Sequence, residues 1–265
     1  MAEARDRRGQ PFGAASAPSA HPPSAQPPAW YAASPGRWRD WLTVLHPPYT
    51  AWHLSYVLIG AAIAPRFHLE RLLATLIAFA LAVGVGAHGL DELRGRPLRT
   101  RISSPVLACV SIAAICGAVT LGALGIAQVG WGLLIFILIG VLLVIAYNLE
   151  LWHGHFHNDT TFALAWGSFP VLTAYYAQAG TVRPAAIAAA AFAYGLSRAQ
   201  RVLSSEARDI RRRVVSVDGE RIYADGSRRA ITPGSMLAPL ERGLVALSWS
   251  TCALGVTLVV ARTGH

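Results

Sequence analysis

The residues best suited to chemistry are gathered in one short stretch, residues 87–103, with the sequence AHGLDELRGRPLRTRIS. It carries an imidazole (His88), two adjacent carboxylates (Asp91 and Glu92) and the guanidiniums of Arg94, Arg96, Arg99 and Arg101. Carboxylate oxygens suit a hard divalent cation such as Mg²⁺, which keeps waters and shares phosphate oxygens. Arginine forks match the geometry of phosphate. An apolar run from Leu69 to Gly86 feeds into this stretch and another begins at Ser104, so the polar groups lie at a membrane surface. The plainer account is a short cytoplasmic loop whose arginines only set topology.

Two other segments carry similar groups. Residues 148–159 (NLELWHGHFHND) hold Asn148, Glu150, His153, His155, His157 and Asp159. Alternate histidines ending in an aspartate can ligate zinc or iron, although histidines at an interface more often only hydrogen-bond. Residues 198–235 begin helix-like, and there Glu206 and Asp209 fall three apart on one face. Beyond them VVSVDGERIYADGSRRAIT alternates apolar and polar residues around Asp218-Gly219 and Asp225-Gly226. Those dipeptides favour hairpin turns, and the pattern predicts a small cytoplasmic β-hairpin at about 214–232.

Composition says what positions these groups. The 265-residue chain is 54% hydrophobic and 14% charged, against about 25% charged in soluble domains. Its 23 basic residues are all arginine, and the formal net charge is +9. A basic chain raises the question of nucleic acid. Here, however, the arginines fall in the gaps between apolar runs, which is the distribution of a membrane protein and points to no nucleic-acid partner. Cys109, Cys116 and Cys252 lie inside apolar runs and form neither a disulfide framework nor a metal spacing.

Residues 1–36 are rich in Pro, Ala, Ser and Gly and read as a disordered tail, because such a segment buries too little to offset its ordering entropy. Trp30, Tyr31, Trp38 and Trp41 suit the depth of a membrane interface. The remainder, 37–265, reads as an all-α transmembrane bundle. Seven apolar runs, at about 49–65, 69–90, 104–126, 130–149, 160–179, 184–204 and 238–261, each approach the roughly 20 residues a span requires. Pro239, Glu241 and Arg242 interrupt the start of the last one. With the N-terminus cytoplasmic, 19 arginines fall on the cytoplasmic side and only Arg66, Arg71, Arg183 and Arg262 on the other. The three polar segments then share one mouth of the bundle, and polar groups at membrane depth suggest a site. No Walker loop, dinucleotide glycine fingerprint or Gly-x-Ser-x-Gly elbow is present.

Four motifs stand in a telling order. The chain enters its first span through His46-Pro47-Pro48-Tyr49-Thr50. Asp91 closes the second and precedes Arg96-Pro97-Leu98 and Ile102-Ser103. The fifth carries Gly167, Pro170 and Tyr175-Tyr176-Ala177-Gln178-Ala179-Gly180, and Arg208-Asp209-Ile210 follows the sixth. In this order and spacing the chain resembles the UbiA superfamily of intramembrane prenyltransferases, its menaquinone-type branch above all, over about residues 46–215. Three family aspartates are missing: His88 follows Ala87 where the family has Asn-Asp, and Gly95 and Arg213 replace two others. Seven spans stand where the family usually has nine.

The resemblance implies a multi-pass protein of the cell inner membrane that ionises an allylic prenyl diphosphate and transfers the prenyl group to an aromatic or lipid acceptor. It implies Mg²⁺ on Asp91, Glu92 and Asp209, with Glu206 as a further catalytic carboxylate. It also implies a substrate pocket of His88, Arg96, Arg208, Arg211, Asn148, Tyr147 and Tyr175. The alternatives are a terpene cyclase of the same type, or a non-catalytic membrane protein that binds prenyl lipid or metal.

Overall fold

The computed structural model describes residues 27–264. Its helices follow the apolar runs. After a short interfacial helix α1 (Arg37–Val44) come α2 (Pro47–Ala62), α3 (Leu69–Leu93), α4 (Ser104–Val129) and α5 (Leu133–Asn148). A further helix, α6, occupies residues 159–179, followed by α7 (Pro184–Arg213) and α8 (Pro233–Thr263). Three of these, α3, α4 and α8, are long and apolar enough to cross a membrane, and α5 is a shorter apolar helix. The chain is an integral membrane protein built mostly of helix.

Local chemistry sets the helix ends. Proline stands at the first turn of α2, α4, α7 and α8, where its missing N–H costs nothing. Gly180 ends α6 in the left-handed conformation (φ 66) that lacks a penalty only for glycine. Thr232 and Ser235 form a reciprocal capping box at the head of α8. That cap starts the helix six residues before Pro239, so the interruption expected there is absent and α8 runs straight through the proline.

Two helices contain wide, π-helical turns: residues Ala80–Ala87 in α3 and Leu164–Ser168 in α6. Such turns often mark functional sites, because they leave carbonyls free and re-aim side chains. Here they face the middle of the bundle. Buried Val57, Leu72, Phe79, Val83, Tyr147 and Trp166 pack there as one core. A second core joins Trp52, Tyr56 and Ile59 of α2 to Val171 of α6 and Ala190 and Ala193 of α7. The close approach of α6 to α7 needs Gly167, because a Cβ there would stand 2.7 Å from the Ala193 carbonyl oxygen. Buried polar groups in this core are mutually bonded: Trp52 Nε1 donates to Tyr56 Oη at 2.7 Å and Ser197 Oγ to the same oxygen at 3.1 Å.

The predicted hairpin is present as two short antiparallel strands, β1 (Glu220–Ile222) and β2 (Arg228–Ala230). Asp225-Gly226 makes the turn, with Gly226 at φ 80, while Gly219 only receives a closing bond from Ile231 N at 2.9 Å. Both strands are fully exposed.

The tail read as reaching residue 36 is packed over its last ten residues, and residues 1–26 lie outside the described ones. Ala29 is buried, Trp30 Nε1 donates to Tyr49 Oη at 3.5 Å, and Ala33 N donates to Thr43 Oγ1 at 3.0 Å. This strap crosses the end of the bundle where α3 and α5 finish.

Candidate functional site

At that end lies a cavity of about 270 Å³. The C-terminal turns of α3 and α5 supply Ala87, His88, Asp91, Tyr147 and Asn148, and the entry to α2 supplies His46, Tyr49 and His53. One face of α7 supplies Gln200, Arg201, Ser204, Arg208, Arg211 and Arg212. His157, Phe162 and Trp166 close one side, Glu241 of α8 another, and Pro28 to Tyr31 of the strap form the roof.

Its charges are of two kinds. Arg211 grips Glu241 with both arms of its fork, at 2.5 and 2.9 Å, and Arg201 Nε holds Asp159 Oδ1 at 2.9 Å while lying over the Phe162 ring. These are internally compensated pairs. Among the described residues Arg208 bonds only Ser205 Oγ, at 3.1 Å, and Arg212 only the Pro28 carbonyl oxygen, at 3.3 Å. Asp91 has no ion-pair partner among the described residues. Two guanidiniums and one carboxylate without an ion-pair partner among the described residues therefore line the same cavity.

The neutral polar groups are similarly incomplete. Among the described residues six buried side-chain polar atoms lack a hydrogen-bond partner, and three of them, His88 Nδ1, Tyr147 Oη and Gln200 Oε1, belong to residues lining this cavity. A native core rarely tolerates such atoms unless they serve a ligand or water. The surrounding imidazoles are fixed: His53 Nδ1 bonds the Trp166 carbonyl at 2.9 Å, and His157 stacks on Tyr147 at 4.5 Å while bonding its carbonyl. The His53 bond satisfies a carbonyl of the π-helical turn in α6. His46, in a left-handed conformation at φ 46, lies 4.1 Å from the His88 ring. Burial, with His88 adding to it, holds the His46 imidazole well below its ordinary range. Burial likewise pushes the Tyr31 phenol well above its ordinary value.

Of the residues expected at the site, Asp91, His88, Tyr147, Asn148, Arg208 and Arg211 do meet in this cavity. The others do not. Glu92 is wholly buried beneath the loop at 94–103, where its carboxylate accepts from Leu98 N, Thr100 N and Thr100 Oγ1 at 2.8–2.9 Å. Its work is to fold that loop, together with Asp40, which accepts from Arg101 N at 3.0 Å. Arg96 is turned back on the same loop, donating to the Ile102 carbonyl and to Ser104 Oγ. Glu206 and Asp209 share a helix face, as their spacing requires, but it is the face opposite the one that carries Ser204, Arg208 and Arg211 into the cavity. Asp209 instead pairs with Arg213 at 3.1 Å in the open. Tyr175 is buried at the other end of the bundle with Ala64 and Ala186.

The expected Mg²⁺ set of Asp91, Glu92 and Asp209 is therefore dispersed. No group of three or more His, Cys, Asp or Glu side chains that could hold a metal ion occurs among the described residues. The alternate-histidine segment fares no better: His153 and His155 are exposed, only His157 turns inward, and Asp159 is taken by Arg201. The donor set of the cavity does not fit a chelated divalent cation. It fits an anion.

A second cavity, about 330 Å³, lies below the first between α3, α4, α5 and α6. Ala78, Ala82, Ala118, Gly122, Phe136, Val144 and Phe169 make it almost wholly apolar. Val83 and Trp166, one from each π-helical turn, line both cavities and form the partition between them.

Sequence reasoning missed the roof of the site and its second chamber. The Trp30-Tyr31 pair was visible as an aromatic signal, and Tyr31 now stands 5.2 Å from His46 and 5.4 Å from Tyr49 by ring centroid. The two π-helical turns leave no pattern in the sequence that distinguishes them from ordinary apolar helix.

No family model matches this sequence, and no curated protein matches it. A solved structure with a similar course of chain is that of a UbiA homolog from Archaeoglobus fulgidus bound to Cd²⁺. It is 16% identical, with 84% of this chain and 77% of that chain covered, at a TM-score of 0.47.

Proposed function

We propose that the chain is a divergent UbiA-type membrane protein that binds an allylic prenyl diphosphate with its head in the arginine cavity, and that it transfers the prenyl group to a hydrophobic acceptor. The observation that carries this reading is the pair of guanidiniums without a carboxylate partner, Arg208 and Arg212, lining one cavity with the Asp91 carboxylate, which has no ion-pair partner among the described residues. Guanidinium forks suit a diphosphate, which offers several acceptor oxygens and negative charge. The motifs around Asp91 and Arg208 supply the prenyl half of the proposal.

In this reading the allylic carbon–oxygen bond breaks heterolytically and its electron pair leaves on the diphosphate. Arg208 and Arg212 meet that developing charge, and the His88 Nδ1 and Tyr147 Oη atoms that lack partners among the described residues complete the shell around the oxygens. Tyr147, Trp166 and Phe162 offer ring faces to the allylic cation. A nucleophilic atom of the acceptor bonds to the cation, and its proton passes to Asp91. Under the arginine asymmetry, this mouth faces the cytoplasm, the N-terminus is cytoplasmic, seven helices span the inner membrane, and the hairpin stands on the cytoplasmic side.

A non-catalytic binder of prenyl lipid is the second reading, favoured by the dispersal of Glu92, Glu206 and Asp209 away from Asp91. One experiment addresses both. Purified protein in lipid nanodiscs is titrated with geranylgeranyl diphosphate, and release of pyrophosphate is followed with and without an aromatic acceptor. Binding that is lost in Arg208→Gln/Arg212→Gln supports the anion site, and pyrophosphate release separates transfer from simple binding. Equal binding by that double variant would sink the proposal.

A further inference from the structure

We infer that the head site takes its diphosphate without a metal ion, the guanidiniums of Arg208 and Arg212 supplying the charge a divalent cation would bring, and that Mg²⁺ competes for the ligand instead of joining it. This rests on the reading of the arginine cavity as the head site. Mg²⁺ asks for an octahedron of oxygens and is held through carboxylates together with substrate phosphates. Among the described residues only Asp91 and Glu241 bring carboxylates to the cavity, and Glu241 is gripped by both arms of Arg211. Freeing it would leave that guanidinium without its counter-charge. Asp159 is taken in the same way by Arg201. Arg213, which stands where the resemblance places an aspartate, neutralises Asp209 on the outer face of α7. Asp91 is left alone.

The two arginines are themselves out of balance in the empty cavity. They are four residues apart on α7, so they share one face about 6 Å apart along its axis. Like charges at that spacing repel and destabilise a helix. Four of the six arginines of α7, Arg198, Arg201, Arg211 and Arg213, lie within 3.9 Å of a carboxylate. The two left over among the described residues, Arg208 and Arg212, have only a hydroxyl and a backbone carbonyl. A diphosphate restores the balance, because each fork can take one phosphate and the anion cancels the repulsion between them. A dication in the same cavity would instead add a third centre of positive charge.

Two consequences follow for the ligand. The forks carry together the same charge as one Mg²⁺ and hold it permanently, since a guanidinium does not lose its proton in a protein. Pyrophosphate already chelated by Mg²⁺ has part of its charge cancelled and several oxygens engaged, so it is the poorer partner for the forks. The free anion is the form the cavity is built to take.

The test titrates the full chain, in nanodiscs of zwitterionic lipid, with inorganic pyrophosphate by calorimetry. It is run first in EDTA and then at rising Mg²⁺, with potassium chloride holding the ionic strength constant. Wild type should bind in EDTA. At a Mg²⁺ level that leaves about a tenth of the pyrophosphate metal-free, the apparent affinity should fall about tenfold, because only the free anion is competent to bind. Arg208→Lys keeps the charge and loses the fork. In EDTA it should bind about tenfold more weakly than wild type, the worth of one hydrogen bond to a charged group. The wild-type titration answers the metal question without any variant. An affinity unchanged or raised by Mg²⁺ overturns metal-free binding and leaves the head site in place. Equal binding by Arg208→Lys in EDTA overturns the role given to the forks. Failure of pyrophosphate to bind in either condition overturns the head site itself.

Discussion

Arg212 donates from Nε to the carbonyl oxygen of Pro28 at 3.3 Å, 184 positions away in the chain. This bond occupies one of the two guanidiniums of the arginine cavity that lack a carboxylate partner, with a strap that also roofs the cavity through Ala29, Trp30 and Tyr31. A single neutral carbonyl is a weak substitute for a diphosphate, whose charged oxygens add direct attraction and can take both arms of the guanidinium fork. An entering diphosphate should displace Pro28 from Arg212. Deleting residues 27–34 is expected to speed association of a prenyl diphosphate about tenfold, with a smaller change in equilibrium affinity. Stopped-flow quenching of tryptophan fluorescence separates the two, and an unchanged association rate would show that the roof does not gate entry.

The loop that presents Asp91 depends on a carboxylate that does no chemistry. Glu92 accepts three hydrogen bonds from Leu98 and Thr100 in a fully buried position. Glu92→Ala strands those donors, and the expected cost is about 3 kcal/mol. Glu92→Gln keeps the shape with a weaker acceptor and should cost about half as much. The readout is trypsin cleavage in the loop, where Arg94, Arg99 and Arg101 lie: rapid cutting in Glu92→Ala and intermediate cutting in Glu92→Gln. Resistance equal to wild type in both would place the loop's support elsewhere, with Asp40 the next residue to test.

How much of this was legible in the sequence depends on the kind of signal. Helix positions were, because an apolar run between arginine clusters has few other solutions in a membrane. The hairpin was, because Asp225-Gly226 names its own turn. The direction in which a carboxylate points was not. Asp91 and Glu92 are neighbours, yet one faces the cavity and the other the underside of its own loop. Asp209 and Glu206 were correctly placed together, but helical spacing fixes which residues share a face without saying what that face meets. The neighbouring Arg208 and Arg211 won the inward face of α7. The second chamber depends on two π-helical turns and on Arg71 reaching two other helices, relationships that no local pattern records.

His46 gives the protein a pH signature. Its folded-state pKa is depressed by burial, with His88 adding to the effect, so the native state binds fewer protons than the unfolded chain once the pH drops below the ordinary histidine value of about 6.5. Stability is therefore full above that value and declines as the solution is acidified toward the folded pKa. His46→Asn removes the titration and keeps a residue that tolerates φ 46. Apparent melting temperature should fall less steeply between pH 7 and pH 5 in His46→Asn than in wild type. Parallel profiles would mean that the imidazole titrates alike in the folded and unfolded protein and that burial does not depress it.

The sharpest contrast lies between the two aspartates that the motifs treat as equals. Asp91 faces the cavity without an ion-pair partner, whereas Asp209 lies half-exposed on the outer face of α7, held by Arg213 one turn on. An exposed pair at this spacing contributes only about 0.3–0.5 kcal/mol, so Asp209→Asn should leave stability, binding and any prenyl transfer within about twofold of wild type. Asp91→Asn removes the carboxylate proposed to take the acceptor's proton. It should lower transfer by about a hundredfold or more. It should also leave diphosphate binding intact or tighter, because a negative charge is withdrawn from an anion site. Measuring pyrophosphate affinity and transfer on both variants distinguishes this arrangement from a shared metal site. A paired Mg²⁺ centre would make the two substitutions equally damaging and would weaken binding in each. Equal losses would move Asp209 back to the site and require α7 to turn its other face inward.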